Sequence, residues 1–86
     1  MNNRTLKDLL YEQVARVGKA LASPKRLEML EMLAQGEKSV DALAEAVAVD
    51  IKLASAHLKA LKEARLVVSR RDGKRMLYRL SGQDVA

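Results

Sequence analysis

Cysteine, tryptophan and phenylalanine are absent from this chain, which holds a single proline, a single histidine, four glycines and two tyrosines. Without cysteine it can form neither a disulfide nor a thiolate metal site, so an apolar core has to hold the fold together. So few aromatics, glycines and prolines fit badly with an all-β or disordered chain and well with a mostly helical one. No run approaches the roughly 18 consecutive apolar residues of a membrane span, and MNNRTLKDLL lacks the apolar stretch of a signal peptide. A cytoplasmic protein with no membrane contact is expected. One histidine and no glycine-rich phosphate loop leave few ways to activate a nucleophile or a base, so no enzymatic activity, catalytic residue or cofactor is expected.

What is present is aliphatic and basic. The formal net charge is +5, and it is unevenly placed: residues 1–50 sum to −1 and residues 51–86 to +6. A neutral scaffold with one basic end suits a polyanionic partner. The length is enough for one small domain spanning 1–86, and no repeat, linker or low-complexity segment divides it.

Helix signals follow one another along the chain. Thr5 with Asp8 reads as a capping box, opening a first helix to about Ala22 with Leu6, Leu9, Leu10, Val14, Val17 and Leu21 at helical spacing. Tyr11 in that helix is read as a packing residue. Ser23-Pro24 restarts the chain, serine as cap and proline at the first helical position, for a second helix through Leu27, Leu30 and Leu33 that stops at Gln35-Gly36. Ser39 caps a short third helix with Val40, Leu43, Ala44 and Val47 inward, and Asp50 caps a fourth that ends at Ala64 or Arg65. The period then becomes alternating in LVVSRR and KRMLYRL, with Asp72-Gly73 between them, which predicts a two-stranded hairpin with Tyr78 and Leu80 inward. Ser81 to Ala86 reads as the start of a further helix.

At 100° per residue, Ala54, Leu58 and Leu61 fall within about 60° of one another on the fourth helix, forming a buried stripe. The opposite face holds Lys52, Ser55, Ala56, Lys59 and Glu63, with Lys62 at its edge. Small residues ringed by lysines let a helix approach a nucleic-acid groove closely while ammonium groups meet phosphates. A lysine-bearing solvated face is the plain alternative. The short third helix, a turn of about three residues and this fourth helix have helix-turn-helix spacing, and the basic hairpin adds a wing. Arg70, Arg71, Lys74 and Arg75 flank its turn; alternation separates Arg71 and Lys74 from their neighbours, so two or three of the four are expected to meet nucleic acid. Edge protection by charge is the other use of such residues.

With these elements in place, the chain resembles the ArsR-type winged helix-turn-helix repressors over nearly its full length. ALASPKRLEMLEML is similar to their second-helix signature, SAHLKALKEARLV to their recognition helix and RRDGKRMLYRL to their wing. The resemblance implies a mainly α fold with a small β-hairpin: four helices, a two-stranded wing and the start of a C-terminal helix. It implies a repressor that binds double-stranded DNA as a homodimer at a pseudo-palindromic operator.

Reading residues carry over to Ser55, Ala56, His57 and Lys59, with Lys52 at the helix start. Ala56 stands where many relatives have a polar residue or histidine, and Arg65 where a glycine usually ends the helix. His57 lies beside the buried stripe, so a structural role and a DNA contact are both open. Leu6, Leu9, Leu10, Val14 and Val17 are the candidate dimer face, with core packing as the alternative. Metal-sensing relatives carry two cysteines one residue apart in the third helix; Ser39 and Asp41 stand there, so no metal site is expected. Relatives complete a C-terminal dimerisation helix, and some continue into another domain, rhodanese-like in certain cases, so the chain is expected to be cut before that helix. A winged-helix interaction domain that does not bind DNA is the competing reading.

Overall fold

A computed structural model describes residues 3–82. Four helices, α1 (Asn3–Leu21), α2 (Pro24–Ala34), α3 (Val40–Ala46) and α4 (Ile51–Glu63), combine with three strands, β1 (Lys38–Ser39), β2 (Val67–Asp72) and β3 (Arg75–Leu80). The strands form one antiparallel sheet in the order β1-β3-β2.

Three helix starts form where the sequence signals them. The backbone N–H of Arg26 donates to Ser23 Oγ at 3.3 Å with Pro24 opening α2, that of Ala42 to Ser39 Oγ at 3.1 Å, and that of Leu53 to Asp50 Oδ1 at 2.7 Å. Each satisfies a donor that the first helical turn leaves open. The start of α1 differs from the predicted capping box. The helix already includes Asn3, so Thr5 lies inside it, and Asp8 instead pairs with Arg4 at 3.5 Å.

The ends of α1, α2 and α4 fall within a residue of where the sequence places them, but the caps of α3 and α4 form without glycine. α4 closes in a Schellman motif: Leu66 N–H donates to Leu61 O at 3.0 Å and Arg65 N–H to Lys62 O at 2.9 Å, which requires Arg65 at φ 63°. That is the left-handed position where glycine would be cheaper by about 1 kcal/mol. α3 closes the same way, Val49 N–H to Ala44 O at 3.0 Å and Ala48 N–H to Glu45 O at 3.2 Å, with Ala48 at φ 59°. No glycine marks that turn. It holds because Val49 and Val47 are drawn inward on either side, Val47 being fully buried.

Apolar residues from α2, α3, α4 and β2 make one core, whose largest fully buried members are Met29, Leu33, Leu43, Leu58, Leu61, Val47 and Val67. The predicted inward sides of α3 (Val40, Leu43, Ala44, Val47) and α4 (Ala54, Leu58, Leu61) are all buried. In α2 the fully buried pair is Met29 and Leu33, while Leu27 is left exposed. α1 contributes only Ala20, and Tyr11, read from sequence as packing, is exposed instead.

The wing is larger than a hairpin. β1 pairs with β3 through Lys38↔Tyr78 and Ser39↔Leu77, so β3 is the central strand. Two residues carry too little alternation for a sequence pattern to reveal. Cross-strand partners Asp72↔Arg75 put Gly73-Lys74, not Asp72-Gly73, at the centre of the turn, and Gly73 alone takes positive φ, 64°. This is the distribution of a II′ turn, which needs glycine only at its first central residue. Tyr78 and Leu80 are half-buried against the core as expected, but Leu77 on the opposite sheet face is buried more deeply. Ser81 and Gly82 form a turn, and the remainder of the predicted C-terminal helix lies outside the described residues.

Candidate nucleic-acid interface

α4 has one side sealed and one side presented. Ala54, Leu58 and Leu61 have no exposure, whereas Lys52, Ser55, Ala56 and Lys59 are exposed together on the opposite side. Neither Lys52 nor Lys59 has a side-chain partner among the described residues. Both are thus available to an external anion. Lys62, on the wing side of the helix, is engaged: its Nζ donates to Ser69 Oγ at 2.8 Å, tying α4 to β2.

The other flank of α4 is tied to α2. Arg26 Nε donates to His57 Nδ1 at 3.1 Å, and its Nη1 reaches Ala20 O at 3.5 Å, so one guanidinium braces the end of α1 and α4 from α2. An accepting Nδ1 places the imidazole proton on Nε2. Lys25 also reaches across, donating from Nζ to the carbonyl of Val47 in the turn between α3 and α4. Neither Lys25 nor Arg26 stood out in the sequence as a site residue. The available clue was the position of His57 at the margin of the buried stripe, which calls for a neighbour on another helix.

Desolvation, then the positive charge of Arg26, holds the His57 pKa below the usual imidazole value of 6.5. The native state therefore binds fewer protons than the unfolded chain as the pH drops below that value. Stability from neutral His57 is complete above the unfolded pKa and is lost as pH falls through the folded one. With one histidine in the chain, no other side chain is ordinarily titrated there. The urea midpoint is expected to fall between about pH 7 and pH 5 and to do so much less in His57→Gln. An equal fall in both proteins would remove His57 as the cause.

Register separates the wing cations. Arg71 lies opposite Met76 on the sheet face shared with Ser69 and Tyr78, the side tied to α4, while Arg70 lies opposite Leu77 on the other face. There Arg70 Nη2 and Nε donate to the two oxygens of Glu37 at 2.7 and 2.9 Å. Those hydrogen bonds hold the Glu37 carboxyl below the ordinary carboxylate range and raise the Arg70 pKa. Arg75 is paired with Asp72 at 3.4 Å. Arg71 and Lys74 are exposed and carry no acidic partner among the described residues. The four predicted wing residues thus split into two cations already engaged by carboxylates and two left available.

Of the predicted dimer residues, Leu6, Leu9, Leu10 and Val14 are exposed, up to 68% for Val14, and Val17 is half-buried; Tyr11 is exposed in the same helix. An intramolecular core role does not account for them. Among the described residues no group of three His, Asp or Glu side chains is placed to hold a metal ion, and no helix is long and apolar enough to cross a membrane.

Comparison with known proteins agrees with this architecture. A family model described as "Bacterial regulatory protein, arsR family" matches residues 23–69. The chain is 54% identical over 80 residues to the HTH-type transcriptional regulator Rv0324 of Mycobacterium tuberculosis, a match covering 93% of this chain and 35% of that protein. It is 38% identical over 68 residues to the HTH-type transcriptional repressor SmtB of the same species, covering 79% of this chain and 50% of the repressor. The chain thus spans a third to a half of these two relatives. Among solved structures, the homodimeric winged helix-turn-helix DNA-binding domain Mb0332 of Mycobacterium bovis superposes with a TM-score of 0.86 at 50% identity, covering 98% of this chain and 76% of that one. With its helix-turn-helix inside the region matched by the family model and its wing inside the region shared with Rv0324, the chain belongs to the ArsR family of bacterial regulatory proteins.

Proposed function

We propose that this chain is the DNA-binding part of a transcriptional regulator, a repressor, that acts as a homodimer on double-stranded DNA. The observation that carries this reading is the two-sided α4: a fully buried stripe on one side and exposed Lys52 and Lys59, without side-chain partners among the described residues, beside Ser55 and Ala56 on the other. Placed in the major groove, small residues let the helix backbone come close while the lysines meet phosphates. Arg71 and Lys74 then supply the wing contacts, and Arg70 and Arg75 act within the protein. His57 serves to brace α4 against α2 rather than to read a base. The exposed apolar stripe of α1 forms the two-fold contact, and the structural relative described as a homodimeric DNA-binding domain supports this. Half-sites would then lie about 10 bp apart, or a multiple of it.

Within the family we place the chain among members that do not sense metals. The chain has no thiolate to offer, and Ser39, one of the two residues at the cysteine positions of metal-sensing relatives, uses its hydroxyl to cap α3. A soft-metal site needs ligands of another kind.

A shift assay on duplexes selected from a random-sequence library tests the DNA reading. Lys59→Ala is expected to weaken binding to all selected sequences alike and to lower the slope of log affinity against log salt by about 1. Ser55→Ala is expected to relax preference at one base position. Unchanged binding in both variants would overturn the role given to this face, and affinity insensitive to salt would mark a protein-binding domain instead.

A further inference from the structure

The first turn of α4 carries two large apolar side chains in the open: Ile51 is 53% exposed and Leu53 45% exposed, on either side of Lys52. Their exposure has no explanation inside the protein. The capping of Leu53 N–H by Asp50 fixes this turn as regular helix, and its side chains fan out to both flanks of the presented face. Resting on the DNA reading above, we infer that Ile51 and Leu53 are specificity-determining residues that recognise thymine through its 5-methyl group.

The chemistry points to one occupant. The N-terminal residues of a recognition helix are those that reach base edges. In the major groove, the one projecting apolar group among the bases is the thymine methyl; cytosine offers only a C5–H at the same position, and the other features presented are hydrogen-bond donors or acceptors. An isoleucine or leucine pushed against a polar base edge would strip water from it and return no hydrogen bond. Against a methyl group the same side chain removes apolar surface from water on both partners. Lys52 lies between the two and has no side-chain partner among the described residues, so it can hold the turn at phosphate distance. Ala56, one turn on from Lys52, adds a smaller apolar surface and no competing polar group. Hydrogen-bond readout from this helix is correspondingly sparse, with Ser55 the one short polar side chain on the presented face. A half-site read this way contains at least two thymines at fixed separation.

The test removes one methyl group at a time. Duplexes are selected with the whole chain from a random-core library, and each enriched thymine is replaced by deoxyuridine, which keeps every hydrogen-bonding group. Binding is expected to weaken about fourfold at each of two positions, the worth of one buried methyl. Ile51→Ala and Leu53→Ala are each expected to abolish the methyl dependence at one position while leaving the salt slope unchanged; both side chains are half out of the fold, and circular dichroism checks that the helices persist. Selected sequences without thymine in the half-site, or equal affinity for thymine and uracil duplexes under steep salt dependence, overturn this inference and leave the DNA reading standing. Absence of binding to any duplex at low salt overturns both.

Discussion

Glutamate at both Leu10 and Val14 is expected to convert the proposed homodimer into a folded monomer and to lower operator affinity by at least about a hundredfold. The two residues sit one turn apart on α1, 55% and 68% exposed, in a stripe shared with Leu6, Leu9 and the half-buried Val17. Helical structure should persist, since glutamate is a good helix former and neither side chain is buried within the protomer. Across a two-fold axis, however, the same patch meets itself, so each new carboxylate faces the other's. DNA then loses the second of two linked contacts, and linkage of that kind is worth about 10²–10⁴ in affinity. Sedimentation and a shift assay on a two-half-site duplex read the two effects together. A variant that stays dimeric, or a monomer that binds as tightly as the parent, would sink the assignment of α1.

Leu58→Ala should be the more damaging change to the fold itself. Leu58 has no exposure and lies in the core shared by α2, α3, α4 and β2. Truncating a buried leucine loses its transfer free energy and leaves a cavity, about 2–5 kcal/mol in all. In a domain of this size each kcal/mol moves the melting temperature by about 4–8 °C, so a drop of at least about 8 °C is expected by scanning calorimetry. Ser55→Ala on the opposite side of the same helix should stay within about 0.5 kcal/mol. A drop in Leu58→Ala no larger than that of Ser55→Ala would contradict the burial on which the two-sided reading of α4 depends.

Much of the candidate site was readable without coordinates because helical period is a local property. Ser23, Ser39 and Asp50 all cap where their positions predict, and the division of α4 into Ala54, Leu58 and Leu61 against Lys52, Ser55 and Lys59 needs only 3.6 residues per turn. Alternation likewise separated Arg70 from Arg71. The limits appear where a residue's partner is distant in the chain. Nothing near Arg70 announces Glu37, 33 residues away, and nothing near His57 announces Arg26, 31 residues away. β1 spans two residues and exists only because β3 is beside it.

The sequence by itself determined which residues cap α2, α3 and α4, which stripe of α4 is apolar, and that basic character belongs to the second half of the chain; these depend on neighbours within a turn or two. Tertiary structure alone decided which charged and polar side chains remain available. It engaged Arg70 with Glu37, Lys62 with Ser69 and His57 with Arg26, while leaving Lys52, Lys59, Arg71 and Lys74 exposed. It also decided that the stripe on α1 stays exposed among the described residues, because α2, α3, α4 and the sheet close a core that takes only Ala20 from that helix. The physical reason is common to both: a side chain's spacing is set by the backbone it stands on, whereas its partner is set by what the fold brings alongside.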